Sequence, residues 1–123
     1  MRIVACAVIE HEGKLLLCRR GFGVFPFQWE LPGRELESDE TLEDALEEHL
    51  FRELGVNVEV GKVLYSFSAK VGGEEVLFYA MKAKILGGKF SLGMYFDASL
   101  ALLSKLFAWN LNFFTRKILI NVI

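Results

Sequence analysis

The sequence has little cysteine and proline, no excess of positive charge and no long uninterrupted hydrophobic run. Two cysteines are too few for a disulfide framework, and they do not form the Cys-x-x-Cys pair typical of zinc or redox sites. A formal net charge of -2 offers no broad electrostatic attraction to nucleic acid, so we expect no binding to DNA or RNA polymers. The apolar residues 3–9 are too few for a transmembrane span or a signal peptide, and a cytoplasmic location is therefore expected.

The remaining composition is that of a packed globular chain. Hydrophobic residues make up 53% of the sequence and charged residues 24%, a balance that excludes intrinsic disorder. A chain of this length is expected to bury one hydrophobic core, which predicts a single domain over residues 1–123.

The two cysteines lie in segments that are predicted to pair. Residues 3–9 and 14–18 are apolar runs on either side of Glu10–Gly13, which is typical of a β-hairpin. Cys6 and Cys18 could then face each other across the hairpin, so a disulfide is conceivable. A reducing cytosol argues against a disulfide between them, and two buried thiols are expected.

One helix is strongly indicated in the middle of the chain. Between Thr41 and Leu54, apolar residues recur mostly at steps of three and four, which places them on one helix face. Asp39 or Thr41 can cap its start, and Gly55 marks its end. Both ends of this helix are therefore predicted from the sequence.

The other elements are predicted on either side of this helix. Residues 21–33 are rich in glycine, proline and aromatics, which predicts an ordered loop with a short strand near Trp29. Later strands are predicted near residues 57–59, 63–71 and 75–84, and helices over residues 99–107 and 113–122. This order indicates a mixed sheet covered on both faces.

The strongest motif runs from Trp29 to Val56. Residues 29–41 read Trp-Glu-Leu-Pro-Gly-Arg-Glu-Leu-Glu-Ser-Asp-Glu-Thr, and residues 48–56 read Glu-His-Leu-Phe-Arg-Glu-Leu-Gly-Val. This pattern resembles the Nudix box, G-x5-E-x7-R-E-U-x-E-E-x-G-U, where U is hydrophobic and the box starts at residue 34. Five fixed positions match, namely Glu40, Leu50, Glu53, Gly55 and Val56, and four differ, namely Arg34, Glu48, His49 and Arg52.

Two flanking segments extend the resemblance along the chain. Leu15–Arg20 is similar to the arginine-terminated hairpin that precedes Trp-Glu-hydrophobic-Pro-Gly in the Nudix family. Phe114–Leu119 is similar to the family's Ala-Asp-Arg-Lys-Ile-Leu, with Thr115 in place of the acid. The resemblance implies an α+β fold of the Nudix type, an α/β/α sandwich with a mixed β-sheet between helices.

The resemblance also implies a site. Nudix glutamates on one helix face bind Mg²⁺ or Mn²⁺, which bridges the diphosphate of the substrate. By this resemblance the candidate catalytic residues are Glu53 and Glu40, and the candidate metal ligands are Glu53, His49 and Glu48. The candidate substrate-binding residues are Arg20, Glu30, Arg52 and Trp29.

The box helix departs from the family where the metal would bind. Positions 49, 52 and 53 share a helix face, and only Glu53 has a carboxylate there. His49 suits zinc better than Mg²⁺, and Arg52 cannot bind any metal. The Arg52 charge would repel a divalent cation by ~2 kcal/mol per unit charge at about 8 Å and an effective dielectric near 20. We therefore expect a weak or absent Mg²⁺ site.

Arg52 has two possible roles. Its guanidinium could occupy the position of the metal and hold a phosphate through paired hydrogen bonds. Alternatively, Glu48 and Arg52 form a surface ion pair between residues four apart, and Glu40 and Glu53 are solvated acids at the helix ends.

Three functions are compatible with this degenerate motif. The first is a divalent-metal-dependent pyrophosphohydrolase of the Nudix type, with weak or altered activity on a nucleoside diphosphate linked to another group. The second is a catalytically inactive module that binds a nucleotide, another diphosphate small molecule or a partner. The third is a structural protein that forms oligomers. The apolar residues from Ser99 onward favour core helices, a homodimer interface or a membrane-surface contact.

Overall fold

Seven strands, two α-helices and a 3₁₀ helix form from the residues that the computed structural model describes, 1–23 and 25–123. The strands are β1 (Arg2–His11), β2 (Lys14–Arg19), β3 (Trp29–Glu30), β4 (Gly33–Glu35), β5 (Val56–Val71), β6 (Glu74–Gly88) and β7 (Asp97–Leu102). The helices are α1 (Leu42–Leu54), the 3₁₀ helix Leu103–Ala108 and α2 (Phe113–Val122).

The strands form one mixed sheet in the order β3-β2-β1-β6-β5. β1 runs parallel to β6, from Arg2 opposite Val76 to Ile9 opposite Ala83, whereas β5 and β6 are antiparallel. β4 pairs with β1, and β7 pairs with β2 along its whole length. The predicted strands 57–59 and 63–71 belong to one strand, β5, whose pairing with β6 is interrupted by register shifts.

The side chains of β1 and β2 alternate between two hydrophobic layers. Ala5, Ala7 and Leu16 pack with α1 on one face, and Cys6, Leu15 and Leu17 pack with α2 on the other. Leu46, Leu50 and Leu54 of α1 fill the first layer, and Ile118 and Leu119 of α2 fill the second. The expected α/β/α sandwich with a mixed sheet between helices is therefore confirmed.

The predicted hairpin of β1 and β2 is confirmed, with Glu12 and Gly13 both at positive φ in its tight turn. The facing arrangement of the cysteines is wrong, because the two strands pair only near the turn and then diverge to other partners. Cys6 lies in the layer under α2, and Cys18 lies in the layer under α1. Both are free, buried thiols, as expected, and burial raises the pKa of Cys6 to about 12.

The prediction of a helix over residues 99–107 is wrong. The chain there forms β7 up to Leu102 and then the 3₁₀ helix. Pairing with β2, from Lys14 opposite Leu102 to Arg19 opposite Asp97, outweighs the local helical preference of the leucines and alanines. The predicted helix 113–122 is confirmed as α2, which Asn112 caps by accepting from the Thr115 N–H.

The predicted loop over residues 21–33 is confirmed in part, apart from residue 24, which lies outside the described residues. It contains the short strand β3 at Trp29, and it ends in β4, which was not predicted. Strand β4 begins at Gly33. A glycine fits this position because an added Cβ would lie 2.2 Å from the Ala5 carbonyl oxygen. Within the part of the chain described here, every helix is too short or too polar to cross a membrane.

Candidate functional site

Helix α1 holds the box residues, and both of its ends are fixed by local interactions. The Thr41 hydroxyl accepts from the Asp44 N–H at 3.0 Å, which caps the start. Gly55 ends the helix in the left-handed conformation, with φ of 72°. Both predicted ends are therefore confirmed, and the four box positions 48, 49, 52 and 53 lie in the last two turns.

The residue in place of the first box glycine, Arg34, forms a bidentate ion pair with the first box glutamate, Glu40. Both terminal guanidinium nitrogens lie 2.7 Å from the Glu40 carboxylate oxygens. The Glu37 N–H also donates to Glu40, at 2.7 Å. The hydrogen bond from Arg34, followed by that from Glu37, lowers the pKa of Glu40 to about 2. Glu40 is therefore an ionised carboxylate with hydrogen bonds to both of its oxygens.

Arg52 lies on the exposed side of α1 and contacts acids of the same helix. Its guanidinium pairs with Glu48 and, through Nε at 3.1 Å, with Glu53. Glu48 also lies 3.7 Å from Arg34. The predicted ion pair between Glu48 and Arg52 is confirmed, and the two arginines link all three box acids into one network.

Glu53 anchors the segment that follows β6 onto the end of α1. Its Oε2 accepts from the Met94 N–H at 2.7 Å, and its backbone carbonyl accepts from Gly93 at 2.7 Å. Its Oε1 accepts from Arg52. Burial alone would raise the pKa of Glu53, but the bonds from Met94 and Arg52 outweigh it and lower that pKa. Each carboxylate oxygen therefore accepts one hydrogen bond.

His49 is fully buried, and its partner is a tyrosine. Its Nε2 lies 2.6 Å from the Tyr95 hydroxyl, which accepts from the Gly33 N–H at 3.2 Å. The Gly33 carbonyl is 3.5 Å away, so the shorter contact has the hydroxyl donating to Nε2. Burial, and next the charge of Arg20, lowers the pKa of His49 to about 4. The imidazole is therefore neutral and bonds α1 to β4 through Tyr95.

A cleft of about 280 Å³ lies between α2 and the face of β1 and β6. Its aromatic wall contains Phe78 and Phe114, which are stacked with their centroids 4.5 Å apart, and Phe25, 5.7 Å from Phe114. Its charged lining residues are Arg2, Arg20, Glu30, Arg34 and Glu35. The cleft thus places aromatic faces and guanidinium groups around one space.

Arg20 and Glu30 face each other in this cleft. The Arg20 Nε lies 3.3 Å from a Glu30 carboxylate oxygen, and an Arg20 terminal nitrogen donates to the Gly33 carbonyl at 2.9 Å. Burial raises the pKa of Glu30 to about 7, although the charge of Arg20 opposes the shift. Glu30 therefore holds its proton to a higher pH than a solvent-exposed glutamate does.

The predicted site residues do not all lie together in the structure. Arg20 and Glu30 line the cleft, whereas Arg52 and Trp29 lie outside it. Trp29 packs edge-on against Trp109, with ring centroids 4.8 Å apart, and the Arg19 guanidinium lies over its ring. The residues predicted on the box, which are Glu40, Glu48, His49 and Glu53, lie with Arg52 in and around the ion-pair network of α1.

Sequence reasoning missed Tyr95 and the placement of Arg34 in the cleft wall. Tyr95 lies in a segment without a motif, and only its distance from His49 shows its role. Arg34 carried a signal, because it replaces a glycine of the box, but the sequence did not show the direction of its side chain. The aromatic wall formed by Phe78 and Phe114 was not predicted either, because these residues lie 36 positions apart in β6 and α2.

The donor groups on α1 do not fit Mg²⁺, which prefers a near-octahedral set of oxygens. Each Glu53 oxygen already accepts a hydrogen bond, Arg52 has no lone pair to donate, and His49 is committed to Tyr95. Among residues 1–23 and 25–123, no group of three or more histidine, cysteine, aspartate or glutamate side chains is arranged to hold a metal. The other two box acids, Glu40 and Glu48, are paired with arginine.

Comparison with known sequences identifies a family and several similar proteins. A family model described as NUDIX domain matches residues 1–92. The chain is 41% identical over 64 residues to nucleoside triphosphatase NudI of Enterobacter sp. (strain 638), covering 50% of this chain and 45% of that protein. It is 38% identical over 73 residues to NudI of Escherichia fergusonii, covering 57% and 52%. The chain thus spans about half the length of these curated relatives.

Comparison with solved structures extends over nearly the whole chain. A MutT NUDIX hydrolase from Burkholderia pseudomallei superposes with a TM-score of 0.88 at 24% identity, covering 99% of this chain and 98% of that one. The E. coli ORF135 protein superposes with a TM-score of 0.84 at 25% identity, covering 98% and 87%. The sandwich described above is therefore also the fold of these proteins.

Proposed function

The chain belongs to the Nudix hydrolase family, and from that premise we propose that it binds nucleotides or other diphosphate small molecules with little metal-dependent hydrolysis. Nudix hydrolases act on nucleoside diphosphate substrates and generally use divalent metals. We therefore propose that this chain binds the same class of ligand as the family but hydrolyses it slowly.

One observation carries the proposal: arginine side chains form ion pairs with the acidic residues of the box. Arg34 holds both oxygens of Glu40, and Arg52 pairs with Glu48 and Glu53. A divalent ion would have to displace these guanidinium groups and then bind beside them. Coulomb repulsion of ~2 kcal/mol per unit charge at about 8 Å and a dielectric near 20 weakens such binding by a factor of tens to about a thousand.

The cleft supports retained binding. Arg20 and Arg34 line the cleft, and guanidinium groups suit phosphate oxygens. Phe114 lines it too and is half-buried, whereas Phe78 is only 8% exposed and stacks on Phe67 and Phe114. Stacking of a base on an aromatic ring contributes about 1 to 3 kcal/mol. A nucleotide whose base packs along this wall would place its phosphates near the two arginines.

Turnover with altered chemistry is the second candidate, favoured by the similarity to NudI proteins that are named nucleoside triphosphatases. In that case the chain hydrolyses a nucleoside triphosphate, and Glu53 with Glu48 or His49 holds a metal. Zinc suits the histidine better than magnesium does. The two candidates differ in whether wild-type protein releases phosphate.

Nucleotide binding and phosphate release together test the proposal. Calorimetry with nucleoside diphosphates and triphosphates measures binding, and phosphate release is followed with Mg²⁺, Mn²⁺ and Zn²⁺. We expect binding by wild type with release near background, and increased release in a variant carrying Arg34→Gly, His49→Glu and Arg52→Glu. Because His49 is buried, the double variant without that change is measured alongside, and circular dichroism checks the fold of each.

Three results would contradict the proposal. Absence of binding to every nucleotide removes the binding function. Rapid wild-type release that Glu53→Gln abolishes identifies a working metal-dependent enzyme instead. No gain in release by folded double and triple variants shows that the arginines do not limit turnover.

Two further predictions accompany the proposal. A cytoplasmic location is expected from the sequence. A homodimer interface formed by apolar side chains of the C-terminal segment is one of the roles that the sequence leaves open. Several of these are exposed, among them Leu100, Leu102, Phe107 and Phe113. Light scattering of the purified protein distinguishes a dimer from a monomer.

A further inference from the structure

We propose that two copies of this chain form a homodimer by pairing strand β7 with its own copy, antiparallel, around a two-fold axis at Leu100. The pairing extends the mixed sheet of one protomer into the other. It gives the association of the apolar C-terminal segment a defined interface and register, and it does not depend on the proposed nucleotide binding.

Strand β7 lies at an edge of the sheet, and it pairs along one side only, with β2. Continuing the same register, the Leu103 N–H donates to the Gly13 carbonyl at 3.1 Å. Successive residues of an antiparallel strand direct their backbone groups to alternate sides. Counting back from Leu103, the residues that direct their backbone groups away from β2 are Ala98, Leu100 and Leu102.

Most of these outward groups are free to pair with another strand. The Ala98 N–H donates to the Asp97 carboxylate at 2.8 Å. The backbone groups of Leu100 and Leu102 make no hydrogen bond within residues 1–23 and 25–123. These two leucines are 41% and 46% exposed, so an approaching strand can reach this edge.

The opposite edge of the sheet has features that discourage pairing, and β7 lacks them. β5 forms that opposite edge, where its pairing with β6 is interrupted by register shifts and its charged residues include Glu59, Lys62 and Lys70. β7 pairs with β2 in one continuous register, and residues 98–104 contain neither a charged residue nor a proline. A regular, apolar and exposed edge of this kind favours pairing with another strand.

A second copy of β7 fits this edge, because an antiparallel strand pair around a two-fold axis is self-complementary. Leu100 is the middle one of the three outward residues, so an axis there keeps every pair within β7. Each Leu100 N–H then donates to the Leu100 carbonyl of the other copy, and each Leu102 N–H donates to the Ala98 carbonyl of the other copy. In this register Asp97 lies opposite Leu103 of the other copy, so no like charges meet.

An apolar groove lies beside this edge, and the second copy would cover it. Leu100 pairs with Leu16, which places its side chain on the α1 face of the sheet. The groove there has a volume of about 540 Å³, and its lining residues, none of them charged, are Leu16, Phe90, Ser91, Leu92, Ala98, Ser99 and Leu100.

The exposed apolar surface along β7 is large enough for a weak dimer. The large side chains on or beside the strand that are between 41% and 51% exposed are Phe90, Leu92, Phe96, Leu100 and Leu102. At about 100 Å² each, half the surface of a large side chain, they provide about 500 Å² per protomer and about 1,000 Å² in the pair. This is the lower limit for a specific interface, so the dimer should depend on protein concentration.

Light scattering and cysteine cross-linking of the full chain test this inference. We expect wild type to change from monomer to dimer, and no further, as its concentration rises. Leu100→Cys places two thiols across the axis, with about 5.5 Å between the Cα atoms, so a short bis-maleimide should link them. Leu86→Cys is the matched control, because Leu86 is 61% exposed in β6, which β1 and β2 separate from β7, and it should give several-fold less covalent dimer. The native cysteines, Cys6 and Cys18, are buried and should not react.

Leu100→Lys sets two like charges opposite each other and should raise the dissociation constant of the dimer by at least about tenfold, whereas Leu86→Lys should raise it by less than about threefold. Amide hydrogen exchange at Leu100 and Leu102 of wild type should slow as the dimer forms. Circular dichroism checks the fold of each variant.

Four results would overturn the inference. Wild type that stays monomeric at every concentration leaves the edge of β7 to another occupant, and assembly beyond a dimer excludes the closed two-fold pair. A wild-type dimer whose Leu100 amide exchanges as fast as in the monomer has its interface elsewhere. So does a dimer that a folded Leu100→Lys variant forms as tightly as wild type does. The scattering and exchange measurements use wild type only, so they decide the inference even where a variant does not fold.

Discussion

At the scale of single residues, the site contains groups that their surroundings hold in an unusual protonation state. Glu30 is a carboxyl whose pKa burial raises to about 7, and His49 is an imidazole whose pKa burial lowers to about 4. Both residues are therefore mostly uncharged near pH 6. A carboxyl and an imidazole that the fold keeps neutral affect stability in opposite directions as the pH changes.

Replacement of Glu30 by glutamine should stabilise the protein above neutral pH. The folded chain binds a proton at Glu30 up to about pH 7, whereas the unfolded chain loses it near 4.5. Glu30 therefore costs stability progressively as pH rises through that window, by up to about 3 kcal/mol for a shift of this size. We expect Glu30→Gln to raise the free energy of unfolding by about 1 to 3 kcal/mol at pH 8, measured by urea denaturation.

The same comparison at pH 4 is the control for Glu30. There both the folded and the unfolded chain bind the proton, so glutamine and the protonated acid should give nearly equal stability. A destabilised Glu30→Gln variant at pH 8 would show instead that the contact with Arg20 outweighs the burial of the charge.

Removal of the Tyr95 hydroxyl should destabilise the protein. The hydroxyl is the acceptor for the Gly33 N–H and the partner of His49, and Tyr95 is only 3% exposed. Leaving a buried polar group unpaired costs about 1 to 3 kcal/mol. Tyr95→Phe should lower the free energy of unfolding by about that amount in urea denaturation.

Tyr79→Phe is the matched control, because the Tyr79 hydroxyl makes no hydrogen bond within the described part of the chain. If both variants have the same stability as wild type, the connection from α1 through Tyr95 to β4 has no energetic role.

At the scale of elements, the structure depends on how helix α1 is joined to its neighbours. The segment after β6 lies over the end of the helix, where Lys89 and Ser91 donate to the carbonyls of Gly55 and Leu54. Gly93 fits closely, since an added Cβ would lie 2.8 Å from the Glu53 Oε2. The box glutamate at position 53 thus holds a loop in place.

Two substitutions at Glu53 should test this anchoring role. Glu53→Gln keeps a side-chain oxygen for the Met94 N–H, whereas Glu53→Ala removes it. We expect alanine to lower the free energy of unfolding by about 1 to 3 kcal/mol and glutamine to lower it by less than half as much. Hydrogen exchange at Gly93 and Met94 should accelerate in the alanine variant alone. Glu47→Ala, an exposed acid of the same helix, controls for helix propensity, and similar exchange rates in all three variants would contradict the anchoring role.

Elements with strong local signals were predicted well from the sequence. Helix α1 has a capping threonine, an apolar face and a terminal glycine within one segment, so both of its ends were correctly placed. Residues 99–107 were predicted as a helix because leucine and alanine favour helices locally. Their strand depends on pairing with β2, more than 80 positions earlier, which the local sequence does not encode. The elements that the sequence did not predict are those whose structure depends on pairing with a segment far away in the chain.

At the scale of the whole molecule, the fold and the chemistry of the box depend on different residues. The fold needs only apolar periodicity and turns, and this chain has both. They give a mixed sheet with one helix packed on each face. The box chemistry needs specific carboxylates with free oxygens. The sequence showed which box residues were replaced, but only the structure shows Arg34 bonded to Glu40 and His49 bonded to Tyr95.

Manganese binding measured by electron paramagnetic resonance tests the central claim most directly, namely that arginine and not a divalent ion neutralises the box acids. Titration of Mn²⁺ into wild type should leave the signal of the free ion undiminished, apart from what an added nucleotide binds by itself. The variant with Arg34→Gly, His49→Glu and Arg52→Glu should bind the ion more tightly. Stoichiometric Mn²⁺ binding by wild type that Glu53→Gln abolishes would contradict the account.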